Sequence, residues 1–405
     1  MRQSLPFAAL GLPSWFPHVE LATAENGARD VLVTIFLRGG ADGLSMVAPF
    51  GDASYYDGRP TIAIPRPDSR AQGRGLALDD FFMLPAALQA LVPAYRAGNL
   101  LALQAVGQMA TKTRSHFEAE RYLEVGKPED LSVDSGWVAR HLQTSAPLLP
   151  GAPLRGIALA GGGIRYTLVG APNTLAIPSP DNFRVNYLPD ATIIDQMYAT
   201  AWSPVRDSAR AALATAELFK RLAFSTYKPD NGAVYPTTDL GRGLRSIAAL
   251  LKAEVGLEAA LLDAWGWDTH ANQEPVEGAM AQSMKDLGDS VGAFWTDIMQ
   301  GPLRKQVTVI VMSEFGRNAR ENGTRGTDHG RGGAGFVLGA GIRGGRVLTQ
   351  WPGLAREQLE DGQDVRVTID YRDIFAELVK RRLGNPNLST IFPDYTPREY
   401  GITLV

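Results

Sequence analysis

Residues 307–312, VTVIVM, are β-branched or apolar without interruption, long enough for one strand buried on both faces of a mostly parallel sheet. The run stops at a polar tip, Ser313-Glu314, followed by Gly316 and Arg317. A Gly-rich loop then carries Thr327-Asp328-His329-Gly330, just before a second apolar segment at 334–339. Loops converge at the carboxyl ends of parallel strands, so Glu314, Asp328 and His329 are expected in one site.

The rest of the composition narrows the chemistry. The 405 residues include 40 basic and 43 acidic side chains with no long run of one sign, which argues against a nucleic-acid partner. No cysteine is present, so disulfides, thiolate catalysis and Cys-ligated metals are excluded. A metal would have to be held by carboxylates, hydroxyls and five histidines: His18, His116, His141, His270 and His329. No apolar run approaches the roughly 20 residues of a transmembrane span. Residues 1–26 read as the remnant of an export signal, of twin-arginine character although one arginine remains, or as an N-terminal arm; Ala22-Thr23-Ala24 resembles a cleavage site.

Along the chain, 30–37 is the first strand and ends in Arg38-Gly39-Gly40-Ala41-Asp42-Gly43, where glycines let the backbone turn and bring Asp42 to the sheet edge. Asp42 is a candidate metal ligand; a turn-capping role is the alternative. Residues 51–80 read as loop with a short strand at 61–64, 83–97 as a helix closed by Gly98, and 100–106 as a strand. Ser115 and Glu118 have capping-box spacing ahead of a helix over 119–125. The same position suits a nucleophilic hydroxyl at the positive end of a helix, with Arg114 beside it to hold an anion. His116 is read as a first-turn residue, with a ligand or base role as the alternatives, and His141 as a structural histidine.

A strand at 155–159 precedes loop at 171–200 and helices at 207–223 and 240–254, a helical insertion over about 171–255 that could cover the site. The strand at 257–264 ends in Trp265-Gly266-Trp267-Asp268-Thr269-His270. Asp268 and His270, two apart, share one side of an extended segment, as zinc ligands do; a simple His–Asp hydrogen bond is the alternative. A helix at 275–299, a strand at 365–369 and a helix through 383 with Asp370 as its N-cap complete the pattern.

The motifs LRGGADGLS, TRSHFEAERYLEVG, GWDTHANQ, SEFGRNARENGTRGTDHG and GAGIRGGRV resemble the bacterial family called domain of unknown function 1501. That family in turn resembles the alkaline phosphatase and sulfatase superfamily. The resemblance implies an alkaline phosphatase-like three-layer α/β sandwich over 27–405, with a mostly parallel central sheet and helices on both faces. It implies export to the periplasm or beyond, a small anionic ester substrate, and one or two divalent ions, zinc first, then manganese, calcium or magnesium. It places Ser115, with Thr113 as rival, at the nucleophile, and Asp42, Asp268, His270, Glu314 and His329 among the ligands, with Asn272 as a substitute; Asp328 is a further candidate ligand from its place in the Gly-rich loop. Arg114 and Arg317 would contact the anion. Phe315 stands where the superfamily has a second histidine, which favours the alternative of a catalytically degenerate envelope protein acting in binding or assembly.

Overall fold

The computed structural model describes residues 29–159, 165–180, 191–222 and 224–404. The export reading of residues 1–26 lies outside them. The strands are β1 (Val31–Leu37), β2 (Leu76–Ala77), β3 (Met83–Leu84), β4 (Leu100–Gly107), β5 (Gly156–Leu159), β6 (Thr174–Ile177), β7 (Ala259–Ala264), β8 (Val307–Ser313), β9 (Gly333–Leu338), β10 (Arg346–Leu348) and β11 (Ile369–Asp370). The helices are α1 (Gly43–Met46), α2 (Ala53–Gly58), α3 (Val92–Arg96), α4 (His116–Val125), α5 (Trp137–Thr144), α6 (Ala191–Tyr198), α7 (Ser203–Leu222), α8 (Asp239–Lys252), α9 (Ala279–Phe294), α10 (Tyr371–Arg381) and α11 (Leu388–Ile391).

A nine-stranded sheet has the order β10-β4-β9-β8-β1-β7-β5-β6, with β11 also paired to β4. Its pairings are parallel except those of β9, which runs against both β4 and β8. Alternation along each strand divides the interior into two layers. Val31, Val33 and Ile35 face one layer with Leu244 and Ile247 of α8 and Met284 and Leu287 of α9. Leu32 and Phe36 face the other with Leu123 of α4, Trp137 of α5 and Phe375 of α10. The result is the expected α/β arrangement, a mostly parallel sheet between helical layers. Each fully buried Leu, Ile or Phe contributes about 1.5–3 kcal/mol.

Several local expectations are corrected. Residues 61–64 form turn and irregular backbone, not a strand. The helix expected over 83–97 breaks into β3, a 3₁₀ segment Ala86–Leu91 and α3, because Pro85 forces an extended predecessor and Pro93 removes an N–H donor. Residues 171–200 are not all loop: they include β6 and α6. The strand at 365–369 shrinks to the β11 pair, after which Asp370 caps α10 by accepting the Arg372 N–H.

His141, 3% exposed, is held in the interior, where Asn385 Nδ2 lies 3.1 Å from its Nδ1. Burial pushes its pKa down to about 4, with the Arg29 and Arg155 charges acting the same way. The unfolded chain therefore takes up this proton first as pH falls. We expect stability to drop between about pH 6.5 and 4 by up to about 3 kcal/mol from this group, and to level off below, in urea titrations across that range. A His141→Gln variant should lose that part of the pH dependence.

Candidate metal centre

The sheet register builds the site. Leu37 of β1 pairs with Ala264 of β7 on one side and Ser313 of β8 on the other, so three strands end at the same level. The loops that follow, starting at Arg38, Trp265 and Glu314, therefore leave from one edge. Arg317, 1% exposed, ties them together: it donates to the carbonyls of Gly39, Gly40, Thr327 and Trp267 and to the Asp268 carboxylate. A short antiparallel bridge between Arg317 and His329, with the Asn318 N–H on Asp328 O at 2.9 Å, folds the Gly-rich loop back over the edge. Gly40, at φ +65°, has to be glycine, since a Cβ there would lie 2.3 Å from the Phe315 ring.

Three imidazoles and one carboxylate meet at this edge. His270 Nε2 lies 2.9 Å from His329 Nε2 and 3.0 Å from Asp268 Oδ1, and His329 Nε2 lies 3.3 Å from the same oxygen. His116 Nε2 lies 3.6 Å from Asp268 Oδ2 and is buried with no hydrogen-bond partner among the described residues. Donor atoms of His116, Asp268 and His329 all fall within 4.8 Å of one another.

The other ring nitrogens decide the tautomers. His329 Nδ1 faces the Arg114 carbonyl at 2.7 Å, His270 Nδ1 faces Asp328 Oδ1 at 3.0 Å, and His116 Nδ1 faces Glu314 Oε1 at 2.8 Å. A carbonyl or carboxylate can only accept, so each Nδ1 carries a hydrogen, and in the neutral form of each ring the Nε2 lone pair faces inward. Three lone pairs and a carboxylate pointing at one space repel unless a proton or a cation lies among them.

Electrostatics act on the rings in opposite directions and keep the carboxylates ionised. Burial, with the Arg317 charge, holds the His329 pKa below its usual value, whereas the Glu314 hydrogen bond raises that of His116. Burial alone would raise Asp268, but the Arg317 hydrogen bond and charge, together with His270, hold it low and ionised. The His270 hydrogen bond likewise lowers Asp328. The separations of 2.9–3.3 Å among Asp268, His270 and His329 suit a small ion, since tetrahedral bonds of 2.0–2.1 Å put ligand atoms about 3.3 Å apart, and His116 Nε2 lies farther out, 3.6 Å from the other Asp268 oxygen. The donor set therefore fits a divalent metal, and His116, Asp268, His270 and His329 are the residues able to hold it.

The structure brings together some of the expected residues and moves others. Asp42 does not reach the cluster. Its carboxylate is fully buried, paired with Arg59 and hydrogen-bonded by Ser45 Oγ at 2.6 Å and Gln273 Nε2 at 2.7 Å. Burial alone would raise its pKa, but Arg59 keeps it low. Glu314 and Asp328 sit behind the imidazoles rather than beside the lone pairs; Glu314 also accepts from the Gly39 N–H at 2.9 Å. Arg317 cannot meet a substrate anion, because its donors are spent on the loops. Arg114, about half exposed, pairs with Asp364 at 2.9 Å while its carbonyl orients His329. Asn272 accepts from Arg325.

The capping box does not form. Ser115 is the N-cap of α4 but makes no side-chain cap hydrogen bond, and Thr113 Oγ1 instead engages Glu118 at 2.6 Å and accepts from the Ser115 N–H. Phe315 packs against the rings of His116 and His329 at 5.0 and 4.8 Å. His116 is the residue whose ligand alternative the sequence reading ranked below a first-turn role. The signal was its place beside Ser115 after a buried strand, but first-turn position and ligand role look the same in one dimension.

Comparison with known proteins adds the following. The sequence model of the family described as Protein of unknown function (DUF1501) matches residues 157–387. No curated protein matches the sequence. Among solved structures the chain is similar to the PsFucS1 sulfatase from Pseudoalteromonas sp., at 11% identity over 94% of this chain and 74% of that one, with a TM-score of 0.41. It is also similar to the lipoteichoic acid synthase LtaP from Listeria monocytogenes (9% identity, 83% and 71% covered, TM-score 0.31). A third is the alkaline phosphatase of the Antarctic bacterium TAB5 (12% identity, 78% and 92% covered, TM-score 0.30). At these scores nothing about the site follows from them.

Because Asp42 and Arg59 neutralise each other in the interior, removing one partner leaves a buried charge. Arg59→Met should lower stability by about 3–5 kcal/mol in chemical denaturation.

Proposed function

The chain belongs to the DUF1501 family of proteins of unknown function, and from its own donor atoms we propose that it is an exported, metal-dependent hydrolase of phosphate or sulfate esters. The observation that carries this reading is the convergence of the Nε2 atoms of His116, His270 and His329 on Asp268, with each Nδ1 held by an acceptor. Three imidazole nitrogens with one carboxylate suit zinc best among the common divalent ions. A divalent ion bound there would polarise an ester and lower the pKa of an attacking group.

The protein's own groups have separate tasks. Glu314, Asp328 and the Arg114 carbonyl fix the tautomer and tilt of the three rings, as carboxylates and carbonyls behind metal-binding histidines generally do. Ser115 is the proposed nucleophile: it opens the ten-residue helix α4, its hydroxyl is not used as a cap, and it stands between Arg114 and His116, both of which touch the cluster. The first-turn N–H groups of α4 would face negative charge on the ester. Phe315, largely buried, packs against the rings of His116 and His329 and limits water beneath them.

A second reading is a non-catalytic envelope protein that keeps the centre for binding or assembly. It is favoured by Phe315, which offers no ligand for a second ion, and by the internal use of the Arg317 donors.

The first reading predicts about one equivalent of divalent metal per chain after purification or reconstitution, by elemental analysis. Glu314→Gln and Asp328→Asn should weaken metal binding roughly 10–100-fold, and His116→Ala at least as much. Ser115→Ala should retain the metal and lose turnover of aryl phosphates or sulfates. Full metal occupancy without turnover of any such ester would favour the second reading. Less than about half an equivalent after adding zinc, manganese or calcium would remove the basis of both.

A further inference from the structure

Large apolar side chains left in solvent near a polar centre need an account, because burying one contributes about 1.5–3 kcal/mol. Trp265 is 64% exposed and Tyr166 45% exposed. Trp265 lies three residues before Asp268, so its Cα is at most about 11 Å from that ligand's. A guanidinium stands over each ring: Arg165 is 5.8 Å from the Trp265 centroid and Arg121 is 4.7 Å from that of Tyr166.

The two arginines are anchored. Arg165 pairs with the buried Asp263, and its Nε is buried without a hydrogen-bond partner among the described residues. Arg121 donates to the carbonyls of Leu131 and Val133 at 3.1 and 2.9 Å. Arg165 and Tyr166 are consecutive in the chain, which brings the two ring–guanidinium pairs, Trp265 with Arg165 and Tyr166 with Arg121 of α4, into one neighbourhood, here called the strip.

Its charge is nearly balanced. Asp263 offsets Arg165, and Glu120, Glu124 and Asp263 surround the neighbouring Arg38. A track for a polyanion such as single-stranded nucleic acid would carry unpaired positive charge. Flat aromatic faces with fixed donors and acceptors between them suit instead a ligand with an apolar ring face and hydroxyls around its rim. A sugar ring has both.

We propose that this strip binds the saccharide portion of a glycan ester, with Trp265 stacking on the ring nearest the metal centre. The inference deepens the ester-hydrolase reading and rests on it for the reacting group, but the stacking itself does not need the metal.

The test is binding of three probes, a neutral oligosaccharide, its sulfated counterpart and a single-stranded oligonucleotide, to the metal-loaded protein and to protein stripped with chelator. Isothermal titration and tryptophan fluorescence report it. Both oligosaccharides should bind either form, the sulfated one more tightly when metal is present. Trp265→Ala should weaken saccharide binding about tenfold and Trp265→Phe should restore most of it. Unchanged saccharide affinity in Trp265→Ala, no saccharide binding at all, or tighter binding of the oligonucleotide would overturn the proposal. Saccharide binding that depends on Trp265 in a protein hydrolysing no ester would leave the strip standing and defeat the hydrolase reading alone. Ester turnover without any effect of Trp265 on binding would do the reverse.

Discussion

Three imidazoles cannot turn unprotonated nitrogens toward one another and toward a carboxylate unless something positive occupies the middle. His270 and His329 bring Nε2 atoms to 2.9 Å, and both face Asp268. The rings cannot escape by changing tautomer, because each Nδ1 is committed to an acceptor: Asp328, the Arg114 carbonyl, and Glu314 for His116. A shared proton or a divalent cation among the rings would relieve the repulsion. The proposed divalent ion is one way for the centre to relieve that repulsion.

The rest of the molecule keeps those groups in place. Register across β7, β1 and β8 aligns three strand ends. Arg317 then binds the three following loops at their carbonyls, so the Asp268 carboxylate and the His329 backbone are fixed to a buried cation rather than left to solvent. A second buried ion pair, Arg59 with Asp42, braces the turn after β1 from the other side, and Gln273 links it through Thr269 and Thr327 to the same loops. Buried pairs of this kind contribute little net stability but are costly to break, which makes them good at fixing one geometry.

This division explains what could be read in advance. The buried strands 307–312, 30–37 and 257–264 announced themselves as apolar runs, and their polar ends marked the edge where Asp268, His270 and His329 gather. Long-range pairing did not show. Asp42 and Glu314 sit at strand ends like the true cluster members, and only the folded chain reveals that Arg59 claims one and His116 the other. His116 was hidden for the same reason, since a histidine in a first helical turn has no pattern of its own. The capping box at Ser115 misled because Thr113, two residues earlier, takes Glu118. Segmentation failed where prolines acted, at Pro85 and Pro93, and where short strands such as β6 and β10 lack a long apolar run.

The centre is best tested by locating the ion directly. An anomalous difference map from a crystal of the metal-loaded protein, recorded at the metal's absorption edge, should show a single strong peak about 2.0–2.2 Å from His116 Nε2, His270 Nε2, His329 Nε2 and an Asp268 oxygen. A map with no peak there, or with its peak beside Asp42 instead, would contradict the account.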